Sequence, residues 1–202
     1  PQRSCFSLLP ILVQMMSKKL DKALVIDVES TCWESMPPRG QTSEIIEVGL
    51  CVVNLQLLDR VERRCIMVKP MSSEVGEFCT ELTGITREMV ADAEPLSTAV
   101  DILQREYRSL DRLFVSWGDY DRKQFLRNCA RYDLKYPFGP THLNVKNMFA
   151  VSMGLRSEPG IDDACNRLGM TMEGSHHRGV DDAWNIANIF CMLLKRTRRA
   201  GW

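Results

Sequence analysis

Between residues 22 and 70 lie three β-rich apolar runs, "KALVIDVEST", "SEIIEVGLCVVNLQLLD" and "VERRCIMVKP", separated only by turn-forming or polar residues. They read as three consecutive strands. The segment "STCWESMPPRGQTS", rich in Pro, Gly and Ser, is a loop at the end of the first. A fourth strand, "DRLFVSWGD", is short and apolar, and "THLNV" offers a fifth. Strands that first follow one another and then alternate with helices predict an α/β domain built on a mixed sheet.

The helical segments fill the remainder. Residues 75–110 carry two short helical patches, with breaks at Gly84 and Pro95, and then a longer helix with Leu96, Val100, Leu103 and Tyr107 on one side. After the fourth strand, "YDRKQFLRNCARYD" places Phe125, Leu126 and Cys129 on one helical face. "IDDACNRLGM" leads into the loop "TMEGSHHRG". A long final helix follows, "VDDAWNIANIFCMLLKRTRR", acidic in its first turn and basic at its end, as the helix dipole prefers.

At 202 residues, 45% hydrophobic and 26% charged, the chain has the composition of one compact domain, which excludes disorder, collagen and a disulfide-dependent miniprotein. Lys plus Arg equals Asp plus Glu at 26 each, so any nucleic-acid binding must come from local sites and not from an overall positive field. The eight cysteines form no CxxC pair and no Cys/His run at zinc spacing, so no zinc site is expected. Several lie in apolar runs and read as free thiols in a reducing cytoplasm. The N-terminal "CFSLLPILV" is broken by Pro10, too short for a membrane span, and lacks a cleavage signal, so no membrane partner is expected. "MSKKLDKALVI" reads as the opening of a cytosolic protein at Met15 or Met16. Residues 1–15 are therefore set aside as an N-terminal extension of doubtful origin, and 16–202 are taken as the domain.

The chemistry begins with Asp27 and Glu29. At i and i+2 near the end of the first strand, they leave the same face of the sheet. Two carboxylates in a run as apolar as "ALVIDVE" repel and lose hydration unless a cation sits between them, and hard divalent metals are the natural solution. Alone, the pair also reads as solvent-facing polar residues at a strand end. The segment "SWGDYDRKQFL" adds Asp119 and Asp121 at a strand exit, where open α/β sheets place their sites. Asp119 is assigned the helix N-cap and Asp121 the functional role. In "HHRGVDDAWNIA", His177 lies in a glycine-bearing loop and Asp182 in the first turn of the last helix, although Asp181 and Asp182 also suit the helix dipole. Asp27, Glu29, Asp121, Asp182 and one histidine meet the requirements of two-metal phosphoryl chemistry, with two Mg²⁺ or Mn²⁺ ions ~3.5–4 Å apart. A histidine, with an unperturbed pKa of about 6.5, is the natural general base.

The order Asp-x-Glu, Asp, His-x4-Asp resembles the DEDDh family of 3′→5′ exonucleases. "ALVIDVESTCWE", "SEIIEVGLCVVN", "VKP", "EFCTELTGIT", "SWGDYDRKQFL", "LGM" and "EGSHHRGVDDAWNIA" look like the branch of that family containing the histone-mRNA 3′-end exoribonuclease and the sporulation inhibitor KapD. The resemblance covers about residues 20 to 195. It implies a ribonuclease H-like fold, a mixed five-stranded sheet flanked by helices. It implies that Asp27, Glu29, Asp121 and Asp182 hold the metal ions and that His177 is the base, preferring Asp182 to Asp181, Asp121 to Asp119, and leaving His176 as a loop residue. Contacts to the terminal nucleotide are implied at Ser30, Thr31, Leu82 and Thr83; by themselves, Leu82 and Thr83 read as a packed helix end before Gly84.

The implied activity is metal-dependent release of nucleoside 5′-monophosphates from single-stranded 3′ ends. RNA is favoured by the branch resemblance alone, since no residue read directly detects a 2′-hydroxyl. The rival readings are a DNA-trimming or proofreading exonuclease, a small-molecule phosphodiesterase, and an inactive RNA-binding or interaction module, which a missing carboxylate or histidine would mark. Arg122, Lys123, Lys195, Arg196, Arg198 and Arg199 are local cations for phosphate, although "KRTRR" alone reads as a solvated helix end. Trp33, Trp117 and Tyr120 can stack a base, although a Trp ending an apolar strand also reads as core. No spacing in the sequence sets the oligomeric state.

Overall fold

The computed structural model describes residues 19–199. The expected 1–15 extension lies outside the described residues. Five strands, β1 (Lys19–Ser30), β2 (Ile45–Asn54), β3 (Asp59–Met67), β4 (Arg112–Ser116) and β5 (His142–Asn144), form one sheet in the order β3-β2-β1-β4-β5. β1 with β2 and β2 with β3 pair antiparallel, whereas β1 with β4 and β4 with β5 pair parallel. This is the mixed five-stranded sheet expected from the sequence.

The connections explain the pairing. Between β2 and β3 the Asn54 side chain accepts the N–H groups of Gln56 (2.9 Å) and Leu57 (3.0 Å), and Leu58 takes φ +54°, closing a tight turn. The apolar run through Leu58 reads as one strand, but β2 stops at Asn54 because that side chain takes the donors a continuing ladder would need. The parallel step from β1 to β4 needs a long crossover, which carries α1 (Glu77–Thr83), α2 (Arg87–Ala91) and α3 (Leu96–Arg105).

Helices cover both faces of β1, which accounts for its near-continuous apolar run. Leu24, Ile26 and Val28 pack with Leu50, Phe114, the α3 residues Val100 and Leu103, and Phe125 and Cys129 of α4 (Tyr120–Arg131). Ala23 and Val25 face the other way, with Phe149 of α5 (Val145–Ser152), Ala164 of α6 (Ile161–Leu168), and Ile186 and Phe190 of α7 (Gly179–Arg199). Asp27 and Glu29 share the parity of Ala23 and Val25, so they emerge on the face that α7 covers.

Two expectations are corrected. Leu126 is not on the inner face of α4 but 41% exposed; the buried stripe is Asp121, Gln124, Phe125, Asn128 and Cys129, at i, i+3, i+4, i+7 and i+8. Three of those five are polar, so hydrophobicity alone misplaces the stripe. The expected fifth strand "THLNV" is shorter, His142–Asn144, because Asn144 caps α5 by accepting the Asn147 N–H at 3.0 Å and Val145 is already the first, buried residue of that helix. The seven described cysteines are free thiols. Among the described residues, no helix is long and apolar enough to cross a membrane.

Candidate active site

Two glycines bring the distant carboxylates together. A Cβ on Gly49 would lie 1.9 Å from the Gly179 carbonyl carbon, and one on Gly179 would lie 2.9 Å from the Asp27 carbonyl oxygen. The start of α7 therefore rests directly on the backbone of β1 and β2, an approach that any side chain blocks. Asp182, in that first turn, meets Asp27 and Glu29, with one oxygen of each within 4.8 Å of the others.

Glu47 fastens this junction. It lies opposite Glu29 in the β1–β2 register and is fully buried. Its carboxylate accepts the Val180 N–H (3.1 Å) and the Arg178 Nε–H (3.0 Å). Truncating Arg178 would leave a buried carboxylate without its counter-charge, at a cost of about 3–5 kcal/mol. Arg178→Ala is therefore expected to unfold at clearly lower denaturant, and Glu47→Gln in the same chain to recover part of the loss; equal midpoints for Arg178→Ala and wild type would show that the pair carries nothing.

Asp121 reaches the site from the first turn of α4, with Oδ1 accepting the Val28 N–H of β1 at 3.0 Å. Asp119 precedes it but does not serve as the expected side-chain cap. Its backbone is already helical (φ −106°, ψ −3°), and its carboxylate lies 3.7 Å from His142 Nδ1 and 4.0 Å from Lys123 Nζ. Asp181 is likewise turned away from Asp182, accepting the Ser175 N–H (2.8 Å) and pairing with Arg63 of β3. His177 takes φ +62°, a left-handed conformation that histidine adopts more readily than most residues, and donates its N–H to Asp182 Oδ2 at 2.9 Å.

His176 is not a bystander in the loop. Its Nδ1 sits 3.1 Å from both Asp182 oxygens, and its ring stacks on His177 with centroids 4.0 Å apart. Asp27, Glu29, Asp121, Asp182 and both histidines line one cavity of about 220 Å³, with Trp117, Tyr120, Val28 and Ile161 forming the rest of its wall. Trp117 is half core, its indole N–H donating to the Pro159 carbonyl at 3.3 Å.

The four residues expected at the terminal nucleotide do not line that cavity. Ser30 and Thr31 are buried, and Thr31 Oγ accepts the Glu44 N–H at 2.9 Å. Thr83 is buried too, its Oγ donating to the Cys79 carbonyl (2.7 Å) and accepting the Ile85 N–H (3.1 Å). Leu82 alone presents an exposed side chain. Arg198, expected in a solvated helix end, donates to the Leu55 (2.7 Å) and Gln56 (3.2 Å) carbonyls.

Crowding sets the electrostatics. Burial, then the charges of Asp121, Asp182, Glu29 and Glu47, push Asp27 well above the usual carboxylate range. Glu29 is pushed up to about 9 by burial and by Asp182, Glu47 and Asp121, with Arg178 opposing. Burial lifts Asp121 to about 7 against the pull of the Val28 N–H. Asp182 is raised by burial and partly held down by His176 and His177. Burial and the neighbouring His176 lower His177, with Asp182 opposing. An all-oxygen set of carboxylates that resists ionisation without a counter-cation fits hard divalent ions.

A mixed sheet in this order, with carboxylates converging from the central strand and the starts of two helices beside a histidine loop, defines a nuclease of the ribonuclease H-like fold. The chain belongs to the exonuclease family, described as RNase T, whose match runs over residues 24–190. Among curated proteins it is similar to the 3′-5′ exonuclease Snipper of Drosophila melanogaster, 29% identical over 195 residues, covering 85% of this chain and 69% of the fly protein. It is 30% identical to the human 3′-5′ exoribonuclease 1, covering 87% of this chain and only 53% of that protein. Among solved structures, the nuclease domain of 3′hExo, a DEDDh family member bound to rAMP, superposes with a TM-score of 0.78 at 28% identity, covering 87% of this chain and 92% of that one.

Sequence reasoning missed Gly49, Gly179, Glu47, Arg178 and the role of His176. A glycine inside "EVGLCVV" is the one signal available, since an isolated glycine in a strand marks a close backbone approach.

Proposed function

We propose that the chain is a metal-dependent 3′→5′ exonuclease that releases nucleoside 5′-monophosphates from single-stranded 3′ ends, with RNA the favoured substrate and residues 16–202 as its catalytic domain. The observation that carries the reading is the convergence of Asp27, Glu29, Asp121, Asp182 and His177 on one cavity. Relatives named as exoribonucleases support RNA, and the free thiols suit a cytoplasmic location.

Asp27, Glu29, Asp121 and Asp182 would hold two divalent cations, Mg²⁺ or Mn²⁺, which when bound supply an activated water and charge stabilisation for the departing 3′-oxygen. The protein contributes the geometry. Asp121 is fixed by the Val28 N–H, and Asp182 by the His177 N–H and the His176 ring. His177, kept below the ordinary histidine range, is neutral at neutral pH and can accept a proton from the attacking water at a ring nitrogen. His176 is committed to Asp182 and acts as its support. Leu82 would meet the terminal nucleotide through its exposed side chain, whereas Ser30 and Thr31 are buried, the Thr31 N–H donating to the Glu44 carbonyl at 2.8 Å, and Thr83 holds the end of α1 that carries Leu82.

The test is a time course on 5′-labelled single-stranded RNA and the matching DNA, with Mg²⁺, with Mn²⁺ and with chelator. A metal-dependent ladder shortening from the 3′ end is expected, faster on RNA; no cleavage of either strand under any metal would overturn the reading. His177→Ala is expected to slow single-turnover cleavage by about 10²–10⁴. A larger loss in His176→Ala than in His177→Ala would move the base to His176.

A further inference from the structure

A second cavity, about 490 Å³, adjoins the carboxylate cavity and shares Tyr120 with it as a wall. Pro37, Thr42 and Ser43 form one side, and Arg127, Asn128 and Arg131 of α4 the other. Its walls are tied together. The buried amides of Gln124 and Asn128 donate to the Ser43 carbonyl at 2.9 and 3.0 Å, and Asn128 Oδ1 accepts the Ile45 N–H at 2.8 Å. Ser73 holds Thr42 from behind, donating to its carbonyl (2.6 Å) and accepting its N–H (3.1 Å). The groove is thus a fixed feature of the fold.

Its chemistry is cationic beside an anionic site. Arg127 and Arg131 stand one turn apart on the same side of α4, both exposed. Arg127 bonds the Gln124 amide, and Arg131 bonds the Ser72 hydroxyl (3.1 Å) with its guanidinium 5.9 Å from the Tyr132 ring centroid, so neither forms an ion pair with a carboxylate among the described residues. Tyr120 is 51% exposed, with the Arg127 guanidinium 6.0 Å from its ring centroid. At ~1.5 Å per residue, Arg127 lies about 10 Å and Arg131 about 16 Å along α4 from Tyr120. A polyanion with one end among the carboxylates and their cations would meet, in order, an aromatic ring and two unpaired guanidinium groups.

We infer that this groove holds the strand upstream of the scissile bond, with a base stacked on Tyr120 and backbone phosphates on Arg127 and Arg131. The inference rests on the exonuclease reading of the adjoining site and adds to it a dependence on substrate length. In a chain with no net charge, these local cations set the salt sensitivity of binding.

The experiment compares a dinucleotide with a single-stranded decanucleotide. In wild type, kcat/KM rises with length; in Arg127→Ala/Arg131→Ala most of that rise is lost. Binding is read separately, by anisotropy of a labelled decanucleotide in chelator, where no turnover occurs. There the slope of log affinity against log salt becomes shallower by about 0.7 for each phosphate no longer neutralised, and Arg127→Lys/Arg131→Lys restores it. Tyr120→Ala weakens binding by about tenfold and Tyr120→Phe does not.

An unchanged length dependence and salt slope in the double alanine variant overturns the groove, as does an equal effect from Arg105→Ala on α3 or an absence of decanucleotide binding in wild type. The two readings fail differently. A chain that binds the decanucleotide through these arginines yet cleaves nothing keeps the groove and loses the exonuclease; one that cleaves both lengths alike, with or without the arginines, does the reverse.

Discussion

Asp27→Asn is expected to lower kcat for strand cleavage by at least about 10³-fold while raising the melting temperature of the protein in chelator. The loss exceeds the ~10–100-fold typical when only a neighbour of a metal ligand is removed, because Asp27 shares its site with both Glu29 and Asp182. The gain in stability comes from the same crowding. Asp27 is pressed by burial and by Asp121, Asp182, Glu29 and Glu47, so without a cation its carboxylate must take up a proton on folding, and a neutral isostere removes that cost. A gain on the order of 1 kcal/mol corresponds to about 2–4 °C for a chain of this size. Added Mn²⁺ should then stabilise wild type and not the variant, since a ligand stabilises only the fold that binds it. Melting curves with and without metal, run beside a single-turnover assay, test both halves. Retained cleavage, or a variant that melts below wild type in chelator, would remove Asp27 from the proposed site.

Gly49→Ala is expected to cost about 3 kcal/mol of stability and about 100-fold in cleavage. The added methyl would sit 1.9 Å from the Gly179 backbone, which cannot rotate away as a side chain could. Overpacking of this kind costs about 1–3 kcal/mol, and at the upper end the melting temperature falls by about 6–12 °C. Cleavage falls because Asp182 rides on the displaced turn of α7, and a shift of about 1 Å at a reacting centre can cost on the order of 10² in rate. Gly76→Ala is the control, since no atom lies within 4 Å of its Cβ position. A Gly49→Ala protein with wild-type melting and wild-type rate would mean that α7 does not rest on the sheet as described.

The contrast between Asp27 and Gly49 shows what a linear reading can reach. Asp27 and Glu29 stand out because a charged pair inside "ALVIDVE" is energetically conspicuous without any knowledge of neighbours. The sheet was legible for a related reason: the β-rich runs of β1 to β3 are too closely spaced to be anything but consecutive strands. Gly49 and Gly179 act through what touches them, and their partners lie more than a hundred residues away. Glu47 carries no mark of its own in the strand "SEIIEVGLCVVN", yet it is buried because Arg178 and the start of α7 come to meet it. The α4 stripe misled for the opposite reason. Asp121, Gln124 and Asn128 are buried polar residues whose partners, Val28, Ser43 and Ile45, belong to other segments. Burial of a polar group depends on where its hydrogen bond ends, and chain order does not reveal that.

The position of β1 has a consequence for how the chain acquires its shape. β1 pairs parallel with β4, on the far side of three helices, and its end is covered only when α7 arrives. The β1–β2–β3 meander is local and can form early, whereas closing the remaining loops costs entropy before any contact repays it. During synthesis the chain must therefore carry a partly built sheet, with Gly49 uncovered and one edge of β1 unpaired, until residues far along the sequence emerge. The carboxylates contributed by residues 27 and 182 meet at the close of that process, so the capacity to cut a strand would appear only with the last docking step.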